Sequence, residues 1–134
     1  MSDISEYLLA NYYSKYKGDR KDVVPTPQQI DDGYKNHPDK FVIVRDEKIK
    51  GIAIFVTLSD ETCKMLWNMD ITRVDVLNRL LEEHGENVHF VLLCADGMHT
   101  ILYGIKKVKE RTNPKTISWW NPDLNKLHKF RIRS

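Results

Sequence analysis

Cysteine is nearly missing from this chain, with two residues in 134, and Cys63 and Cys94 stand in neither metal-ligand nor disulfide-framework spacing. That argues against a structural zinc site and against a small disulfide-stapled scaffold, and the apolar run around Cys94 predicts a buried free thiol. Glycine and proline are sparse, at six and five, so linker-like or low-complexity composition is excluded, and no internal repeat is visible. Long hydrophobic runs are lacking too. The longest, 51–58 and 90–94, fall far short of the roughly 20 apolar residues that a membrane-spanning helix needs. Met1-Ser-Asp-Ile has no signal-peptide character, which sets the expectation of a cytoplasmic protein. An excess of one charge is also absent: 21 Lys and Arg against 19 Asp and Glu leave a formal charge of +2. The whole-molecule field therefore gives no reason to expect nucleic acid or a membrane as partner.

What is present is an ordinary globular balance, 41% hydrophobic and 30% charged, in a chain of single-domain size. One domain over 1–134 is expected. Ile4, Leu8, Tyr12 and Tyr16 recur every four residues with Leu9 and Tyr13 beside them, predicting a helix that Gly18 ends. Thr26-Pro27-Gln28-Gln29 opens a second helix, with Thr as cap, Pro at the first position and Gln29 closing a capping box. Asn36-His37-Pro38 breaks it. Phe41 to Arg45 and Ile49 to Leu58 predict antiparallel strands joined by the turn Asp46-Glu47-Lys48. The stretch 59–70 is open between a short helix from Asp60-Glu61 and a segment crossing the end of a sheet. Thr72-x-x-Asp75 reads as a capping box, Val74, Leu77, Leu80 and Leu81 as an apolar stripe, and Gly85 as the C-terminal cap of that helix.

Val88 to Cys94 predicts a strand buried on both faces, and Ala95 to His99 a break. An amphipathic helix over 100–112 turns Ile101, Leu102, Ile105 and Val108 inward and stops at Asn113-Pro114. Two more strands, 115–120 and 127–132, flank a turn at Asn121-Pro122-Asp123. Strand, helix, strand from Val88 to Trp120 is a βαβ unit with a parallel pair. The fold class is therefore α/β of the α+β type, a mixed, mostly antiparallel central sheet flanked by helices.

Two helices, a hairpin, a helix, and then strand, turn, helix and strand is an order of elements that resembles the GNAT superfamily of acyl-CoA-dependent N-acyltransferases over nearly the whole chain. Phe41-Val-Ile-Val-Arg-Asp-Glu-Lys-Ile-Lys-Gly-Ile-Ala is similar to the family's early strands. Val88-His-Phe-Val-Leu-Leu-Cys-Ala-Asp-Gly-Met-His-Thr-Ile-Leu is similar to its central strand and cofactor turn. The C-terminal Ile117-Ser-Trp-Trp-Asn-Pro-Asp resembles small GNAT-like proteins encoded by phages. Two departures stand out: Ala95 to Thr100 holds one glycine where the family has a glycine-rich turn, and no helix follows the fifth strand to supply a tyrosine general acid.

The resemblance implies an acyl-CoA, most simply acetyl-CoA, as cosubstrate and an amine as acceptor. It implies that the central strand splays from its neighbour, so that backbone groups of Val91, Leu92, Leu93 and Cys94 bind the pantetheine arm. Gly97, Met98, His99 and Thr100 would offer N–H groups to phosphate, unless they form a plain strand-to-helix turn. A base is needed to deprotonate the amine; His89 is the first candidate, its alternative being a hydrogen-bonded structural histidine. Tyr103 could protonate the departing thiolate or pack on the sheet, and Asn121 could hold a pantetheine amide or start a turn before proline. Trp119 and Trp120 point to opposite faces, one into the core and the other towards an acceptor or, by stacking, a nucleic-acid base. Lys126, His128, Lys129, Arg131 and Arg133 alternate with apolar residues as on a solvated edge strand. Tyr12, Tyr13 and Tyr16, with Lys15 and Lys17, pack the first helix down, in a region that borders the acceptor in the resembled family. The competing expectation is a non-catalytic GNAT-like binding or structural module, monomeric or homodimeric.

Overall fold

In a computed structural model, which describes residues 2–15, 25–68, 77–121 and 126–133, Asp46-Glu47-Lys48 forms the expected turn. Glu47 takes a left-handed φ of 66° and Asp46 pairs with Lys48 across it. The turn joins β1 (Phe41–Asp46) to β2 (Lys48–Leu58). Val, Ile and Phe dominate both strands because branched and aromatic side chains fit a pleated, buried surface. β3 (Asn87–Ala95), β4 (Thr116–Asn121) and β5 (Lys126–Arg131) complete one sheet in the order β1-β2-β3-β4-β5. Only the β3–β4 pair is parallel, so the sheet is mixed and mostly antiparallel.

Helices cover both faces. α1 (Asp3–Leu8) runs into a single π-helical turn over Leu9–Tyr13, and α2 (Pro27–Asn36) starts at the Thr26/Gln29 capping box, with both reciprocal bonds made. α3 (Asp60–Trp67) is the helical alternative for the stretch left open by the sequence; Ser59 caps it. α4 spans Leu77–Glu82. Thr72, Val74 and Asp75, as well as Tyr16, Lys17, Gly18, Pro122 and Asp123, lie outside the described residues, as do the side chains of Leu77 and Asn121. α5 (Met98–Thr112) ends at Asn113, whose left-handed φ of 46° closes the helix before Pro114.

Strand periodicity sorts the core. Ile52, Ile54, Val56 and Leu58 of β2 face α1 to α4, meeting Ile4, Leu8 and Ile30 at one end and Cys63, Leu66, Leu80 and Leu81 at the other. Ala53 and Phe55 face α5, where Val108 and Ile105 pack with Phe90, Val88 and Ile117. Ser5 donates to the Asp31 carboxylate at 2.7 Å and ties α1 to α2. Tyr13 donates to the Pro25 carbonyl and anchors the π turn. Gly51 leaves no room for a side chain: a Cβ there would stand 2.7 Å from the Thr100 methyl. The first turn of α5 therefore rests directly on β2.

Gly85 is not a left-handed helix cap, because no described glycine has a positive φ. Its role is close approach, since a Cβ there would lie 2.1 Å from the carbonyl carbon and oxygen of Leu58. Rigid backbone cannot yield as a side chain can. Gly85→Ala is expected to destabilise the fold by about 2 kcal/mol or more, in the upper range of overpacking, measured as a lower urea midpoint.

Candidate functional site

The site begins where two strands part. β3 and β4 pair from Asn87↔Thr116 to Phe90↔Trp119 and no further, while β3 continues beside β2 as far as Gly51↔Ala95. The closed limb is held by side chains. Thr116 donates to Asn87 Oδ1 at 2.7 Å, and Asn87 Nδ2 donates to the Leu58 carbonyl at 3.1 Å and to Asp60 at 2.8 Å. Two residues on, His89 Nδ1 lies 2.9 Å from Ser118 Oγ. Above this limb β3 carries a bulge. Ile54 pairs with Leu92 but Phe55 with Phe90, so Val91 is the extra residue, and a bulge bends and twists its strand. Val91 and Leu92 consequently both pack towards α1 to α4, while Phe90 and Leu93 pack towards α5.

The parting opens a cleft of about 640 Å³. Phe90, Val91, Leu92 and Leu93 form one wall, Met98, Ile101, Leu102 and Ile105 of α5 a second, and Trp119 and Trp120 a third. Asn11, Tyr12 and Lys15, at and just after the π turn, approach from the α1 side. Trp119 is held by stacking on His128 and Phe130, at centroid distances of 5.2 and 5.5 Å. Beyond Phe90, β3 has no further pairing with β4 among the described residues.

The turn from β3 into α5 is tied to a second bulge, at Lys50 of β2, whose carbonyl accepts from Asp96 N–H at 2.9 Å and from the Tyr7 hydroxyl at 2.8 Å. Gly97 caps α5 with extended backbone (φ −178°), and the first helical bond runs from Ile101 N–H to the Gly97 carbonyl at 3.2 Å. The N–H groups of Met98, His99 and Thr100 therefore lack intrahelical acceptors, as in any first turn. Asp96 brings a carboxylate to this positive end and accepts from Thr100 Oγ1 at 2.7 Å. A Cβ at Gly97 would meet nothing within 4 Å, so the backbone does not require glycine there.

The residues expected from the sequence divide. Val91, Leu92, Leu93 and Met98 line the cleft together. Gly97, His99 and Thr100 stand at the start of α5, and Cys94 packs with the α1–α2 core, its thiol pKa pushed up by burial. His89 is not on the cleft wall; it sits in the closed limb, 6% exposed. Burial lowers its pKa to about 4, so the ring is neutral at neutral pH and a weak base. Tyr103 projects from the outer side of α5, 49% exposed, with Lys107 Nζ 5.3 Å over its ring, and does not line the cleft either. The cleft lining contains no histidine and no carboxylate among the described residues. Asn11 was missed, and its only signal was a polar residue between Leu9 and Tyr13. Leu102, expected to face inward, is 56% exposed at the cleft mouth. Its signal was an apolar stripe wider than the sheet covers.

Compared with models of known protein families and with curated protein sequences, the chain matches none. Among the described residues, no helix is long and apolar enough to cross a membrane, and no cluster of His, Cys, Asp and Glu could hold a metal ion.

The lowered pKa of His89 fixes the sign of a pH dependence. The unfolded chain takes up a proton at about the ordinary 6.5 and the folded chain only near 4. This contribution to stability is thus complete above pH 6.5 and is lost as the pH falls towards 4, by up to about 3 kcal/mol. Urea unfolding of the wild type is expected to show this slope, and His89→Gln to flatten it.

Proposed function

We propose that the fork between β3 and β4 binds an acyl-CoA and that the chain is an N-acyltransferase, moving an acyl group, most simply acetyl, from the thioester to a primary amine. The observation that carries this reading is the edge of β3 from Val91 to Cys94, which pairs with no residue of β4 among the described residues and runs along a cleft with largely apolar walls. A pantetheine arm is narrow and carries two amides, so it can take the place of the missing neighbour strand. Its methylene segments suit Leu93, Ile101, Leu102 and Trp119, and its diphosphate the free N–H groups at the start of α5. The amine enters from the opposite side, past Asn11, Tyr12 and Lys15.

In direct attack the amine nitrogen forms the N–C bond, the C–S bond breaks, and the proton lost by the amine ends on the departing sulfur. With no histidine or carboxylate on the described lining, the amine reacts as its free base or loses its proton to water. The rate is then expected to rise with pH up to the pKa of the amine itself, read from kcat/KM profiles of two amines of different basicity; a profile that ignores the amine would contradict the mechanism.

A second reading is a non-catalytic binding module. One observation favours it: Asp96 already places a carboxylate at the end of α5 where a phosphate would lie. Calorimetric titration with acetyl-CoA, using desulfo-CoA and ADP as controls, separates the cases. Saturable binding is expected, weakened at least tenfold by Gly97→Val, whose melting temperature without ligand should stay unchanged, and tightened by Asp96→Asn. Absence of binding at millimolar acetyl-CoA would sink the fork as a CoA site; binding without turnover on a panel of amines would leave the module.

A further inference from the structure

On the face of the sheet that carries α5, about two turns beyond the last cleft residue of that helix, a second cavity of about 400 Å³ lies between Lys40, Thr57, His84 and Arg111. Lys40 closes the 3₁₀ turn Pro38–Lys40 and is only 6% exposed. Its ammonium donates to Thr57 Oγ1 at 2.9 Å and lies 5.7 Å from the centre of the Phe55 ring. Thr57 passes its own proton to the Glu83 carbonyl at 3.1 Å, which leaves an oxygen lone pair for the lysine. An ammonium has three donors, and one is used. No carboxylate pairs with Lys40 among the described residues. Burying a charge without a counter-charge is costly, and a methionine could fill the same space.

Arg111 brings a second unpaired cation. Its Nη1 donates to the backbone carbonyls of Asp39 and Phe41 at 3.4 and 3.3 Å, which pins the guanidinium beside the cavity and leaves its other N–H groups free of carboxylates. His84 adds ring nitrogens at the rim. Among the described residues Asp39 is the one acid on the lining, and it is in no ion pair with either cation.

We infer that this cavity is a binding site for a compact polar molecule bearing an oxyanion, a phosphate or carboxylate group, with Lys40 and Arg111 as its two cationic contacts. The volume falls in the lower part of the range for small-molecule sites, roughly 300–1,000 Å³, so the ligand is a small metabolite-sized anion rather than a polymer. The site is separate from the fork and does not rest on the acyltransferase reading.

The test is titration of the full chain at constant ionic strength with inorganic phosphate, glycerol 3-phosphate and citrate, read by melting temperature and calorimetry against sodium chloride. Saturable binding of at least one probe is expected, and the arm that binds more tightly tells phosphate from carboxylate. Lys40→Met and Arg111→Gln should each weaken it at least tenfold, and Asp39→Asn should tighten it severalfold. Lys106→Gln, elsewhere on α5, should leave it unchanged. In anion-free buffer Lys40→Met is expected to melt no lower than the wild type, because it removes an uncompensated buried charge. Should that variant not fold, Arg111→Gln and Asp39→Asn decide the matter. No saturable response to any probe, or responses equal in wild type, Arg111→Gln and Asp39→Asn, would overturn the inference.

Discussion

The short parallel pairing of β3 with β4 is the constraint on which the rest of this molecule depends. Four residue pairs hold the strands together, and two of those pairs, Asn87–Thr116 and His89–Ser118, are joined by buried side-chain hydrogen bonds as well. The bulge at Val91 then bends β3 away. Without the polar clasp the parallel pair would have only its slanted ladder bonds; without the bulge the ladder could continue and the cleft would close. His89 is buried within the same clasp, and that burial lowers its pKa. Its place in the structure is that of a fastener of the closed limb.

α5 is positioned by that geometry at one end and by close packing along its length. Gly51 admits the Thr100 methyl, and the Lys50 carbonyl holds both Asp96 and Tyr7. The start of α5, the π turn after α1 and the edge of β3 beyond Phe90 thus meet around one opening. The far end of α5 carries Arg111 to the lysine-lined cavity, so a single helix borders both candidate sites. The proposed acyl-CoA fits the first because it can supply strand-like amides. The proposed oxyanion fits the second because it supplies the missing negative charge.

Local features were legible wherever neighbouring residues settle them. The Thr26/Gln29 capping box, the Asp46-Glu47-Lys48 turn and the stop at Asn113-Pro114 depend on contacts within a few residues, and all three stand in the structure. Segments rich in Val, Ile and Phe, parted by a short charged turn, likewise announced β1 and β2. Gly85 was misread because a glycine after a helix usually serves as a cap, whereas here its neighbour is Leu58, distant in sequence. His89 was placed by the sequence at the start of the central strand and Tyr103 in the first turn of the helix after it; neither lines the cleft, because position along an element does not say which way a side chain points. Asn11 carried almost no signal at all, since it reaches the cleft only by way of a π turn.

By itself, then, the sequence determined the identity and order of most elements, the mixed sheet and the apolar character of the segments that became the cleft walls, because hydrophobic period and turn chemistry are short-range properties. Tertiary structure alone decided where β3 leaves β4 and that Lys40 is buried with no carboxylate partner among the described residues. Those outcomes depend on register and on long-range packing. A register slip of one residue turns every side chain to the other face, and no local pattern in the chain records it.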